Sequence, residues 1–249
     1  PDKGDVVVVD SFSTDRTAAI ARKAGCRVLQ NKFVDFASQR NWALDNAGLA
    51  GKWVFHLDAD ERLTPELKEE CEAAAERNEF SGYMVPAKTM FEDKWLRWSA
   101  CYPVYQMRFM KCGEVHFVQA GHGQREGNAE KGIGYLKNPY IHYPFSKGMD
   151  EWRARHLRYA KDEANQFLKD EAAGQADWAG LFSSDPVRRR RALKRASSKL
   201  PLRPQVRFLY LYILRMGFLD GDAGYRYCSL MSDFEKMIDT EILREGVRH

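Results

Sequence analysis

The chain has 249 residues, 44% hydrophobic, 12% aromatic and 30% charged, with a formal net charge of +4. That length holds one large domain or two small ones, and the aromatic content excludes a mainly disordered chain. The longest unbroken apolar run, residues 208–214, is seven long, against about twenty for a bilayer-spanning helix, so no transmembrane helix is expected. Five scattered cysteines with no CxxC pair fit reduced thiols better than a disulfide framework or a zinc site. Residues 1–5 show neither a basic n-region nor an apolar h-region, so no signal peptide is expected.

The β-branched run Val6-Val7-Val8-Val9 reads as a buried strand ending at Asp10. Ser13, Thr14 and Asp15 then offer N-cap chemistry for a helix to about residue 24, stopped by Gly25. A strand over 26–30, a helix over 36–47 and a strand over 53–57 follow. Thr64-Pro65 opens a helix to about residue 78. This alternation predicts an α/β fold with a mostly parallel sheet flanked by helices. In such sheets ligands lie beyond the carboxyl ends of the strands, where Asp10 and Asp58 both stand.

Residues 82–143 read as irregular and aromatic-rich, with short strands and loops such as Gly121-His122-Gly123. From residue 146 the chain turns helical, with Met149, Trp152, His156, Tyr159/Ala160 and Phe167 at near-helical spacing. A basic helix over 186–198, a proline-bounded link over 199–204, an apolar helix over 205–219 and a turn over 220–224 come next. The last helix carries Tyr227, Met231, Phe234, Ile238 and Ile242 on one face. The expected division is a nucleotide-binding catalytic domain over 1–145 and a helical extension over 146–249.

Asp58-Ala59-Asp60, followed by Glu61, is the sharpest chemical feature. Paired carboxylates past a buried strand can hold a hard divalent cation that keeps positions open for phosphates. A solvated acidic loop is the competing reading, but three acids at a strand end repel one another until something offsets them. Asp10-Ser11-Phe12-Ser13-Thr14-Asp15 reads as a capped turn that leaves Asp10 itself unexplained.

The segments around Asp10–Thr17, Phe36–Leu44 and Trp53–Glu61 together resemble glycosyltransferase family 2. More narrowly they resemble its bacterial branch that builds lipopolysaccharide cores and exopolysaccharides. The likeness runs on through Tyr102 to Arg108, Ile141-His142-Tyr143, Arg207 to Tyr210 and Gly217 to Gly221. It implies the Rossmann-like GT-A fold with a helical C-terminal extension, and an inverting transfer from a nucleotide sugar, UDP-linked, to a saccharide or lipid-linked acceptor. By the same resemblance Asp10 holds the base, with Arg40 and Asn41 near that pocket. Asp58 faces ribose or the metal, Asp60 ligates Mg²⁺ or Mn²⁺, and His142 stands where a late histidine ligand is expected. The family places its catalytic base between these points; Glu126 is the choice, with Asp93, Glu92 and Glu114 as rivals. Family members begin with a further strand, which this sequence starts too late to include; the resemblance therefore implies either a truncated sequence or an incomplete pocket.

Residues 185–215 carry 10 Lys/Arg against one Asp, while residues 1–100 carry 14 Lys/Arg against 17 Asp/Glu. The basic stretch, Arg188 to Arg191 with Lys194, Arg195 and Lys199, reads as a solvated helix face or as a contact for an anionic membrane. No nucleic-acid-binding signature accompanies it. With the apolar helix that follows, an anionic bilayer fits it best, placing the protein on the cytoplasmic face of a membrane. Two other functions stay open: a sugar nucleotidyltransferase, for which no Gly-rich phosphate loop is found, and a non-catalytic scaffold.

Overall fold

The computed structural model describes residues 6–49, 51–120, 123–127, 129–172, 179–197 and 202–246. It is α/β and divides into two compact units. One comprises Pro1–Asp58, Pro65–Val85 and Gln106–Asn138; the other comprises Ala59–Thr64, Pro86–Tyr105 and Pro139–His249. Residues 1–145 therefore contribute to both.

In the first unit, β1 (Val7–Asp10) runs parallel to β2 (Arg27–Gln30), joined by α1 (Thr17–Lys23). Arg16 is the N-cap of α1, and Asp15 just before it accepts from Thr17 N at 2.9 Å. Helix α2 (Phe36–Asn46) is capped by Asp35, which accepts from Ser38 N at 2.7 Å. Strand β3 (Trp53–Phe55) pairs antiparallel with β7 (Val104–Lys111), ending two residues earlier than the sequence pattern predicts. Helix α3 (Pro65–Arg77) buries Leu67, Cys71 and Ala74, one face at helical spacing. The start of β5 (Gly82–Phe91) pairs parallel with β10 (Ile133–Tyr135). Gly134 makes that fit possible, since a Cβ there would meet the Phe80 and Tyr83 rings at 2.7 Å. A hairpin of β8 (Phe117–Ala120) and β9 (Gly123–Glu126) completes this unit. Its core includes Leu67, Ala74, Tyr83, Val85, Phe109 and Met110.

In the second unit the far end of β5 pairs parallel with β11 (Tyr140–His142), and β11 pairs antiparallel with β4 (Glu61–Arg62). Strand β6 (Lys94–Trp95) folds back on β5. Helix α4 (Met149–Ala172) packs along α7 (Gly221–Gly246), as does α6 (Arg203–Leu209). Phe91, Leu96, Trp152 and Leu230 form one core cluster; Ala160, Ala164 and Ile238 form another, with Phe234, Met237 and Ile242 against it. The apolar stripe expected on the last helix is thus the face that packs. Helix α5 (Pro186–Ser197) is the expected basic helix.

Three expectations are corrected. Residues 82–143 hold two long strands besides the short ones expected: β5 has ten residues and β7 eight. The apolar helix is not continuous over 205–219. It starts at Arg203, with Pro204 tolerated in the first turn. It then widens at Tyr210–Leu214, where Arg215 N donates to Tyr210 O at 2.8 Å, and breaks at Met216, whose φ is 57°. The turn expected over 220–224 is the first turn of α7. A Cβ on Gly224 would strike the Gly217 carbonyl, so the two glycines let these segments touch backbone to backbone. Gly121, His122 and residues 198–201 lie outside the described residues, as do the side chains of Arg190, Arg191, Lys194 and Arg195.

Candidate active site

Asp10 ends β1 and is buried. Its carboxylate accepts from Ser13 N at 3.3 and 3.2 Å and from Gln30 Nε2 at 3.3 Å. The hydrogen bonds from Ser13 and Gln30 hold this acid below its usual range against the opposing effect of burial. The carboxylate closes the turn in which Phe12 takes a positive φ of 59°. Beside it, Gln39 donates to Ser11 Oγ at 3.1 Å and accepts from Asn31 Nδ2 at 2.8 Å, tying α2 to the ends of β1 and β2.

Asp58 sits in a clamp of two arginines. Arg40 Nη2 reaches Oδ1 at 2.7 Å, and Arg108 Nη2 reaches Oδ2 at 2.9 Å. Burial raises the acid's pKa, but the Arg108 and Arg40 charges outweigh it and hold the carboxyl well below the usual range. His56 lies beneath them, edge-on to the Phe117 ring at 5.5 Å. Its Nε2 is sealed from solvent, with no hydrogen-bond partner among the described residues. Burial, then the charges of Arg40 and Arg108, push its pKa down to about 3. The imidazole is therefore neutral at pH 7.

Asn41 spends its side chain on the β8 backbone. Nδ2 donates to Phe117 O at 2.9 Å and Oδ1 accepts from Phe117 N at 2.8 Å. Glu126 is half-buried at the end of β9, in register with that same Phe117. Among its rivals, Glu114 accepts from Ser81 Oγ at 2.6 Å within a turn, and Glu92 pairs with Arg226 at 3.2 Å. Asp93 follows Glu92 in the exposed turn between β5 and β6.

In the second unit Asp60 and His142 come together, Oδ2 to Nε2 at 3.6 Å, with Arg155 Nη1 3.9 Å from the same oxygen. Tyr143 N donates to Asp60 O at 2.8 Å, which joins the end of β11 to the residue before β4. Among the described residues no group of three or more His, Cys, Asp or Glu side chains gathers as a metal site. Of this pair Asp60 offers the carboxylate oxygen that a magnesium-like ion prefers, with water and phosphate oxygens filling its sphere, while the His142 imidazole is the softer ligand. In the first unit, Asp58 has an arginine on each carboxylate oxygen.

Sequence reasoning passed over Arg108, His56 and Arg155 as site residues. Arg108 had a signal: an arginine between Met107 and Phe109 in an apolar strand, 2% exposed in the fold, needs a carboxylate partner.

The family model for glycosyl transferase family 2 matches residues 2–131. An uncharacterized glycosyltransferase of Rickettsia conorii is 41% identical over 68 residues, 27% of this chain and 23% of that protein. The lipopolysaccharide core biosynthesis glycosyltransferase LpsC of Rhizobium meliloti is 39% identical over 70 residues, 26% of this chain and 25% of that protein. A TPR repeat-containing protein of Synechococcus elongatus is 37% identical over 82 residues, 32% of this chain and 20% of its own length. The match to this chain spans about a quarter of the length of these relatives.

Proposed function

The chain belongs to glycosyl transferase family 2, and from that premise we propose that it moves a sugar from a nucleotide-sugar donor to a saccharide acceptor, with inversion. The pairing of Asp60 with His142 at 3.6 Å carries this reading. These two residues would hold Mg²⁺ or Mn²⁺, whose charge would offset that of the leaving diphosphate. Asp10 and Arg40 line the donor side, and Asn41 acts through the hairpin it fixes. Glu126 takes the proton of the acceptor hydroxyl as its oxygen bonds to the anomeric carbon and the bond from that carbon to the diphosphate breaks. A UDP-linked donor, a lipid-linked acceptor of cell-surface polysaccharide or lipopolysaccharide synthesis and a place on the cytoplasmic membrane face complete the reading. The printed name of the Rhizobium relative supports the polysaccharide part.

The test is UDP affinity with and without Mn²⁺, followed by nucleotide-sugar turnover. Asp60→Ala should remove the Mn²⁺ dependence, and Glu126→Gln should keep donor affinity while lowering turnover by about 10²-fold or more. Equal turnover by both variants and the wild type overturns these assignments. The hold of two arginines on Asp58 favours the other reading, a non-catalytic binding protein; turnover by the wild type removes it.

A further inference from the structure

Helix α6 and the turns after it carry apolar side chains on opposite sides. One side packs on α7. Leu211 is buried, Phe208 and Tyr212 stack at 5.2 Å with both rings against Tyr225, and Arg203 pairs with Glu235 at 2.7 Å. The other side is aliphatic and exposed. Leu202, Val206, Leu209 and Ile213 recur at helical spacing along one stripe, and Leu214, 74% exposed, stands next to it. Single exposed leucines are ordinary, whereas a contiguous apolar stripe marks a surface with a partner.

The charge of the segment that carries the stripe points to that partner, although Arg203 and Arg207 are turned to Glu235 on α7. Residues 186–219 contain 10 Lys/Arg and no Asp or Glu. Arg188 and Arg189 are exposed on α5. A second copy of this chain would set cationic segment against cationic segment, which opposes association. Negatively charged headgroups over hydrocarbon match both the cations and the aliphatic stripe.

We infer that the stripe Leu202, Val206, Leu209, Ile213 and Leu214 inserts into an anionic lipid surface, with the exposed arginines of α5 on the headgroups. This deepens the proposed function and rests on it for the purpose of docking, since a lipid-linked acceptor would then lie at the same surface. A helix lying in the interface reaches about 5–10 Å into the headgroup and acyl boundary, which suits a single row of leucines.

Co-sedimentation with vesicles, without donor or acceptor, is the test. The chain should pellet with phosphatidylcholine vesicles containing phosphatidylglycerol and not with phosphatidylcholine alone. It should be released as salt shortens the Debye length from about 30 Å to about 8 Å. Leu209→Glu with Leu214→Glu should weaken the partition by about tenfold or more. Its melting temperature should hold, because both side chains are exposed; Leu209→Ser with Leu214→Ser repeats the test without added charge. Arg188→Gln with Arg189→Gln should weaken binding at low salt only. The inference falls if the wild type stays in the supernatant with anionic vesicles at low salt, or if both leucine variants pellet as well as it does. It also falls if the wild type is a dimer that ignores vesicles and the leucine variants are monomers. Vesicle binding by a chain that turns over no nucleotide sugar would support the surface and sink the transferase reading. Turnover of a soluble acceptor by a chain that ignores anionic vesicles would sink the surface alone.

Discussion

Asp58 and Asp60 are two residues apart in the chain and have opposite surroundings. Asp58 neutralises one charge of a two-arginine cluster in which Arg108 is buried; Asp60 lies 3.6 Å from His142 and 3.9 Å from Arg155. Removing a carboxylate from a close ion pair strands the cation, whereas losing a contact beyond hydrogen-bond distance costs less. Asp58→Ala should therefore destabilise by roughly 2–4 kcal/mol, less than a fully buried pair would because Asp58 is 40% exposed. Asp60→Ala should cost less than Asp58→Ala. Urea unfolding of the two variants checks the contrast. Acid should act on this cluster in two windows. His56 is held at about 3 against an ordinary 6.5, so below pH 6.5 the unfolded chain takes up a proton that the folded one refuses. Stability then falls by up to about 1.4 kcal/mol per pH unit until about pH 3. Asp58 is lowered from 3.8, so its contribution is complete above that pH and is lost as pH falls below it. His56→Leu should flatten the difference between pH 6 and 4 and leave the loss below 3.8; a variant as acid-sensitive as the wild type in that range overturns the assignment.

Among the elements, those with one clear period were legible. The valines of β1, the capped α2 and the Thr64-Pro65 start of α3 all follow local rules, and the structure places them within a residue or two. Strand β5 was not legible, because it is buried over its first six residues and so shows no alternation, and Pro86 argues against a strand. Its registers show why the proline is tolerated. Away from β7, strand β10 pairs residues 82–84 and β11 pairs residues 87–89, so on that edge Pro86 falls where neither is in register. The acids at strand ends could be read directly, while their arginine partner on β7 depends on a pairing between β3 and β7 that no local pattern encodes. The β8–β9 hairpin likewise depends on one distant side chain. Asn41→Ala should cost about 2 kcal/mol for two lost hydrogen bonds to Phe117. It should also speed amide exchange over 117–126 before it affects α3. Asn41→Asp keeps the acceptor alone and should recover part of the loss.

For the molecule as a whole, the interleaving of the chain matters more than its helical ending. Phe91 and Leu96 come from the first hundred residues, and Trp152 and Leu230 close the same cluster from beyond residue 145. A fragment of residues 1–145 should therefore expose Phe91 and Leu96, bind a hydrophobic dye and lose near-ultraviolet dichroism. A fragment that unfolds cooperatively with native dichroism would contradict this. The same cluster has a consequence in time. During synthesis at about 5–20 residues per second, Phe91 leaves the ribosome on the order of ten seconds before Leu230 exists to cover it. Through that interval the end of β5 is an unfinished, sticky strand, so the yield of folded protein should depend on the speed of translation and on the chaperones that hold the nascent chain.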